Sequence, residues 1–126
     1  MNESFRQWHN RAITPEYYEF LRELNEEEAL ERREEPEFDQ HWLAEFERME
    51  KSREQLSEQE LAAIASLREQ AFKQSYRVMS SPDVSAYISD DLELIAISLL
   101  LGETSSWALQ MLKLSYDEGQ FPPQET

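Results

Sequence analysis

Cysteine is absent from the 126-residue chain, which removes disulfides, thiolate nucleophiles and cysteine zinc sites together. Only two glycines are present, and two isolated glycines cannot build a phosphate-cradling loop. No alternating β-branched pattern marks a sheet, and no Gly-x-Ser-x-Gly or Ser-x-x-Lys motif marks a serine nucleophile. The opening MNESFRQWHN lacks the apolar core of a signal peptide, so a cytoplasmic location is the default expectation.

Basic residues are also scarce. Twelve Lys and Arg stand against 27 Asp and Glu, a net charge of −15. Such a field repels nucleic-acid backbones and anionic membranes and attracts basic proteins. It also serves plain solubility, so charge alone leaves both readings open. Residues 16 to 60 hold 17 acids and six bases, or −11 of the total. Glu28 with Arg32 and Glu47 with Lys51 have the spacing of local ion pairs. Glu26, Glu27, Glu31, Glu34, Glu35 and Glu37 exceed what the two neighbouring arginines can neutralise.

What is present favours helix. Hydrophobic residues make up 40% of the chain, enough for a core, and Glu, Leu, Gln and Ala are abundant. The organising stretch runs from Ser81 to Gly102, where Val84, Tyr87, Ile88, Leu92, Ile95 and Leu99 fall at helical spacing. Leu94, Ile97, Leu100 and Leu101 widen that stripe until neighbours must cover it on most sides. Ser81 reads as its cap, Pro82 as its first turn and Gly102 as its stop. Asp90, Asp91 and Glu93 interrupt it, and it is too short to span a bilayer. The two aspartates read either as an exposed edge or as groups reaching a partner between neighbouring helices.

The remaining segments read in order. Residues 1–13 carry Phe5, Trp8 and Ile13 and suit a short helix or a docking arm. Thr14-Pro15 starts a first helix with Tyr17, Leu21 and Leu24 inward and Tyr18 and Phe20 beside them. The run NEEEALERREEP from Asn25 to Pro36 extends it or forms a solvated linker. A second helix is predicted from about Pro36 to Arg53, with Phe38, Trp42, Phe46 and Met49 on one face. Ser57-Glu58-Gln59-Glu60 is a capping box opening a third helix to Met79, and Ala62, Ala63 and Ala65 suggest a close helix contact. After Gly102, a last helix bearing Trp107 ends at Gly119, and residues 122–126 form a disordered tail. The expectation is a single all-α domain, 1–126, a bundle of about five helices around the central apolar helix 82–101.

Chemistry is thin. His41, Glu45 and Asp39 are too few and too alike for a metal centre, and no carboxylate pair is framed by a cleft signal. No catalytic residue, metal or cofactor is expected.

The segments VSAYISDDLELIAISLLLG and SSWALQMLKLSYDEGQFP resemble small helical bacterial immunity proteins, the inhibitors made beside polymorphic or contact-dependent toxins. The resemblance covers about the last third of the chain. It implies a stoichiometric, non-enzymatic inhibitor of a basic toxin, in that class commonly a nuclease. The interface would lie on Glu26, Glu27, Glu31, Glu34, Glu35, Glu37 and Asp39, with Asp90, Asp91 and Glu93 as a second patch. Trp42 or Tyr87 would serve as the aromatic anchor. The alternatives are an adaptor for another basic protein and a nucleic-acid mimic. Oligomeric state is left open.

Overall fold

A computed structural model describes residues 1–123. The expected tail falls partly on residues 124–126, which lie outside the described residues. The described chain is all-helical and forms one compact domain. It divides more finely than five helices. The elements are α1 (Glu3–Ala12), a 3-10 helix (Pro15–Glu23), α2 (Glu26–Arg33), α3 (Pro36–Ser52), a short 3-10 turn (Arg53–Gln55), α4 (Glu58–Met79) and α5 (Pro82–Leu100). A π-helical stretch (Ala108–Lys113) then runs into α6 (Leu114–Asp117).

The apolar content of α5 determines its place. Twelve of its side chains are buried, from Val84 to Leu99, and α1, α2, α3, α4 and the π-helical stretch all pack on it. Ser81 caps its first turn through the Val84 amide at 3.2 Å. At the other end the Glu103 amide donates to the Ser98 carbonyl and the Gly102 amide to the Leu99 carbonyl. That paired closure needs a left-handed residue at its turn, which Gly102 supplies at φ +76°.

α4 and α5 form an antiparallel hairpin across Ser80-Ser81. Ser57 and Glu60 make the predicted capping box at the start of α4. Ala63 is half-buried against the core, but Ala62 and Ala65 face solvent and do not carry the close approach. It uses buried Ala71 and Ser75 against Ser85 and Ser89, with Ser75 donating to Ser85 at 2.9 Å. Leu67 is also fully buried.

The segment after Thr14 is wound with about three residues per turn. Period three aligns Tyr18, Leu21 and Leu24, so Tyr18 is buried while Tyr17 is only half-buried. The Thr14 hydroxyl donates backwards to the Arg11 carbonyl rather than capping the helix it precedes. Phe5 and Trp8 of α1 are buried in the common core, and Asn2 donates to the Leu99 carbonyl at 2.7 Å.

Candidate partner-binding surface

α2 is eight residues long and carries four glutamates. Such a helix has little reason to dock, because only Ala29 and Arg33 are buried and Leu30 is half-buried. Its anchor is an ion pair. The Arg33 guanidinium donates to both carboxylate oxygens of Asp91, at 2.7 and 2.5 Å. Phe38, Tyr87 and Phe121 surround the guanidinium with ring centroids 5.1, 4.6 and 5.5 Å from its carbon, a cation–π setting.

Asp91 is 0% exposed and Arg33 4%. Two further donors complete the carboxylate: the Trp42 indole at 2.9 Å and the Tyr116 hydroxyl at 2.5 Å. Burial opposes charge on Arg33, but the adjacent Asp91 carboxylate outweighs it and holds the guanidinium pKa above its usual value. Burial, reinforced by Asp91, raises the Tyr116 phenol. Among the described residues no buried side-chain polar atom lacks a hydrogen-bond partner, as a buried ion pair requires if it is not to cost stability.

Asp91 is therefore a correction to the sequence-based expectation. It lies inside the molecule, where it cannot meet a partner, and it joins α2, α3, α5 and α6. Asp90 and Glu93 are also engaged: Arg68 reaches Asp90 at 2.8 Å, and Arg53 and Arg68 approach Glu93 at 3.4 and 3.5 Å. The second patch is thus a row where α5 receives arginines from α2, α4 and the turn after α3. Sequence reasoning passed over Arg33 as one cation in a charged run. The available signal was Asp91 itself, since an acid within an apolar helix requires a buried cation.

Glu45 shows the same logic. It is 5% exposed and accepts from the Ala108 amide at 2.7 Å, where the last helical segment begins and its amides lack intrahelical partners. Arg48 bridges Glu45 at 2.8 Å and Glu103 at 2.8 and 3.0 Å. The Arg48 hydrogen bonds depress the Glu103 pKa, and bonds to both carboxylates raise that of Arg48. Glu45 thus has a structural task, and His41 stacks on Trp107 with centroids 6.0 Å apart.

The first patch is different. Glu26, Glu27, Glu31, Glu34, Glu35, Glu37 and Asp39 are all exposed on α2, the start of α3 and the bend between them. None makes an ion pair with another described residue. Glu34 accepts from the Tyr87 hydroxyl at 2.7 Å, and burial, reinforced by that carboxylate, pushes the phenol up to about 12. The two expected local pairs do not form. Arg32 turns instead to the Pro123 carbonyl, and Glu47 makes no ion pair with another described residue.

Both expected anchors are engaged within the fold, Trp42 on Asp91 and Tyr87 on Glu34. Among the described residues no helix is long and apolar enough to cross a membrane, and no group of three or more His, Asp or Glu could hold a metal ion.

The family model described as Immunity protein PIM1 matches residues 9–123. The likeness therefore covers nearly the whole described chain rather than its last third. No curated protein matches it.

Proposed function

The chain belongs to the family described as Immunity protein PIM1, and from that premise we propose that it is a non-enzymatic inhibitor that binds and blocks a basic toxin, a nuclease, in the cytoplasm. The observation that carries the reading is the division of labour among the acids. Asp90, Asp91, Glu93, Glu45 and Glu103 each meet an arginine inside the domain. Those on α2 and the start of α3 do not, although they are crowded together. Like charge held at one surface costs stability and raises the association rate with an opposite surface. An inhibitor that must capture its toxin quickly uses that field directly.

Glu31, Glu35 and Glu37 changed together to Gln test the reading, because none is used in internal structure. Glu34 is left intact for its bond to Tyr87. The probe is the purified toxin domain encoded beside this chain's gene, followed by stopped-flow mixing over a range of salt. We expect association to slow about tenfold at low salt and its salt dependence to flatten, with urea stability nearly unchanged. Unchanged association, or a toxin whose nuclease activity persists with equimolar chain present, would refute the proposal.

A further inference from the structure

Granting the inhibitor reading above, we propose that Leu43, on the outward face of α3, is the apolar anchor of the toxin interface and enters a pocket rimmed by Lys or Arg on the toxin. Five large apolar side chains are exposed among the described residues: Met1, Ile13, Leu43, Tyr76 and Leu114. Three of these have cations for neighbours along the chain, Arg11 near Ile13, Lys73 and Arg77 near Tyr76, and Lys113 beside Leu114. Met1 precedes α1 and lies on no helix face. Leu114 also has acids one turn on, Asp117 and Glu118, but Asp117 is paired with Lys113 and Arg11, whereas the acids around Leu43 have little or no pairing among the described residues.

Its helical neighbours four before, four after and seven after are Asp39, Glu47 and Glu50. Among the described residues Asp39 and Glu47 make no ion pair, and Glu50 pairs with Arg53 at 3.4 Å. The opposite face of α3 is the buried one, carrying Phe38, Glu45 and Met49. Leu43 is 46% exposed, and Gln40, Ala44 and Glu47, which share its outward stripe, are exposed as well.

Charge complementarity decides the occupant. A second copy of this chain would bring further negative charge to that stripe, whereas a basic surface would be drawn onto it. Water-free apolar contact at the centre with charges around it is the usual arrangement of an interface whose central side chain carries much of the affinity. Trp42 and Tyr87 are half-buried and already bonded within the fold to Asp91 and Glu34.

The test compares Leu43→Asp and Leu43→Met against the purified toxin domain encoded beside the gene, using surface plasmon resonance with urea midpoints as a fold control. An aspartate adds to the acidic field, so steering alone predicts equal or tighter binding. Loss of an apolar anchor predicts the reverse: Kd raised about 30-fold or more, mostly through faster dissociation, with association changed less than about threefold. Leu43→Met, which keeps an apolar side chain, should stay within about threefold of wild type. A Leu43→Asp variant that binds as tightly as a binding-competent wild type would overturn the anchor and leave the inhibitor reading standing. Wild-type chain that does not bind the toxin domain would overturn both.

Discussion

Asp91→Ala is the substitution with the largest calculable consequence. It deletes four accepted hydrogen bonds, two from Arg33 and one each from Trp42 and Tyr116. The guanidinium left behind is 4% exposed, and Phe38, Tyr87 and Phe121 stand between it and water. Removing one partner of a buried pair costs about 3–5 kcal/mol. The orphaned indole and phenol donors add about 1 kcal/mol or more each where water cannot reach them. A domain of this kind has a total of about 5–15 kcal/mol, so the variant should lose a third of its stability or more. With a urea slope of about 2 kcal/mol/M, a 4 kcal/mol loss lowers the midpoint by about 2 M. Arg33→Met should cost a similar amount, by stranding the carboxylate. The double variant Arg33→Met with Asp91→Leu should recover at least about 2 kcal/mol over the sum of the singles, because no buried charge remains. Amide exchange adds a local readout: protection in α2 should fall first, since Arg33 and Ala29 are its only buried side chains. A loss under about 1 kcal/mol for Asp91→Ala, or a double-mutant cycle with no coupling, would refute the claim that this pair holds α2 in place.

Two further outcomes follow from the caps and ion pairs. Gly102→Ala should cost about 1–2 kcal/mol in urea unfolding, a conformational penalty alone, because Gly102 sits at φ +76° with nothing within 4 Å of an added Cβ. Glu103 has a folded pKa below its usual 4.5, held down by Arg48; its contribution is therefore present above that value and disappears as pH falls through the lower folded value. Glu103→Gln should be less stable than wild type at pH 7, with the two urea midpoints converging as pH falls below about 4.5; a gap that stays constant down to pH 2 would show the ion pair to be idle.

Much of the fold was readable because it depends on local rules. The Ser57–Glu60 capping box, the Ser81-Pro82 start and the Gly102 stop each follow from a few adjacent residues. The apolar breadth of residues 82–101 announced a buried helix without reference to any partner. Misreadings occurred where a period or a contact was set from outside the segment. Residues 15–23 carry an apolar pattern compatible with either 3.6 or three residues per turn, and packing selects the tighter winding. Ala62, Ala63 and Ala65 look like a close-contact motif, yet the hairpin registers Ala71 and Ser75 against α5 because the turn at Ser80-Ser81 fixes where the helices meet.

The acidic surface was legible only as a total. Composition and a count over residues 16–60 located the excess charge, but each carboxylate's task depends on which arginine arrives from elsewhere. Arg33 lies 58 residues from Asp91, and Arg48 lies 55 from Glu103, so no window on the sequence contains either pair. Drawn inward by Asp91, Arg33 is no longer available to its sequence neighbours. Arg33 abandons the glutamates of α2 for Asp91, and Arg32 turns to the Pro123 carbonyl. The same contacts that fasten α2 therefore leave its outer face without counter-charge. Docking the helix and exposing its acids are one event, which is why disrupting Asp91 should weaken the proposed interface without altering any residue in it.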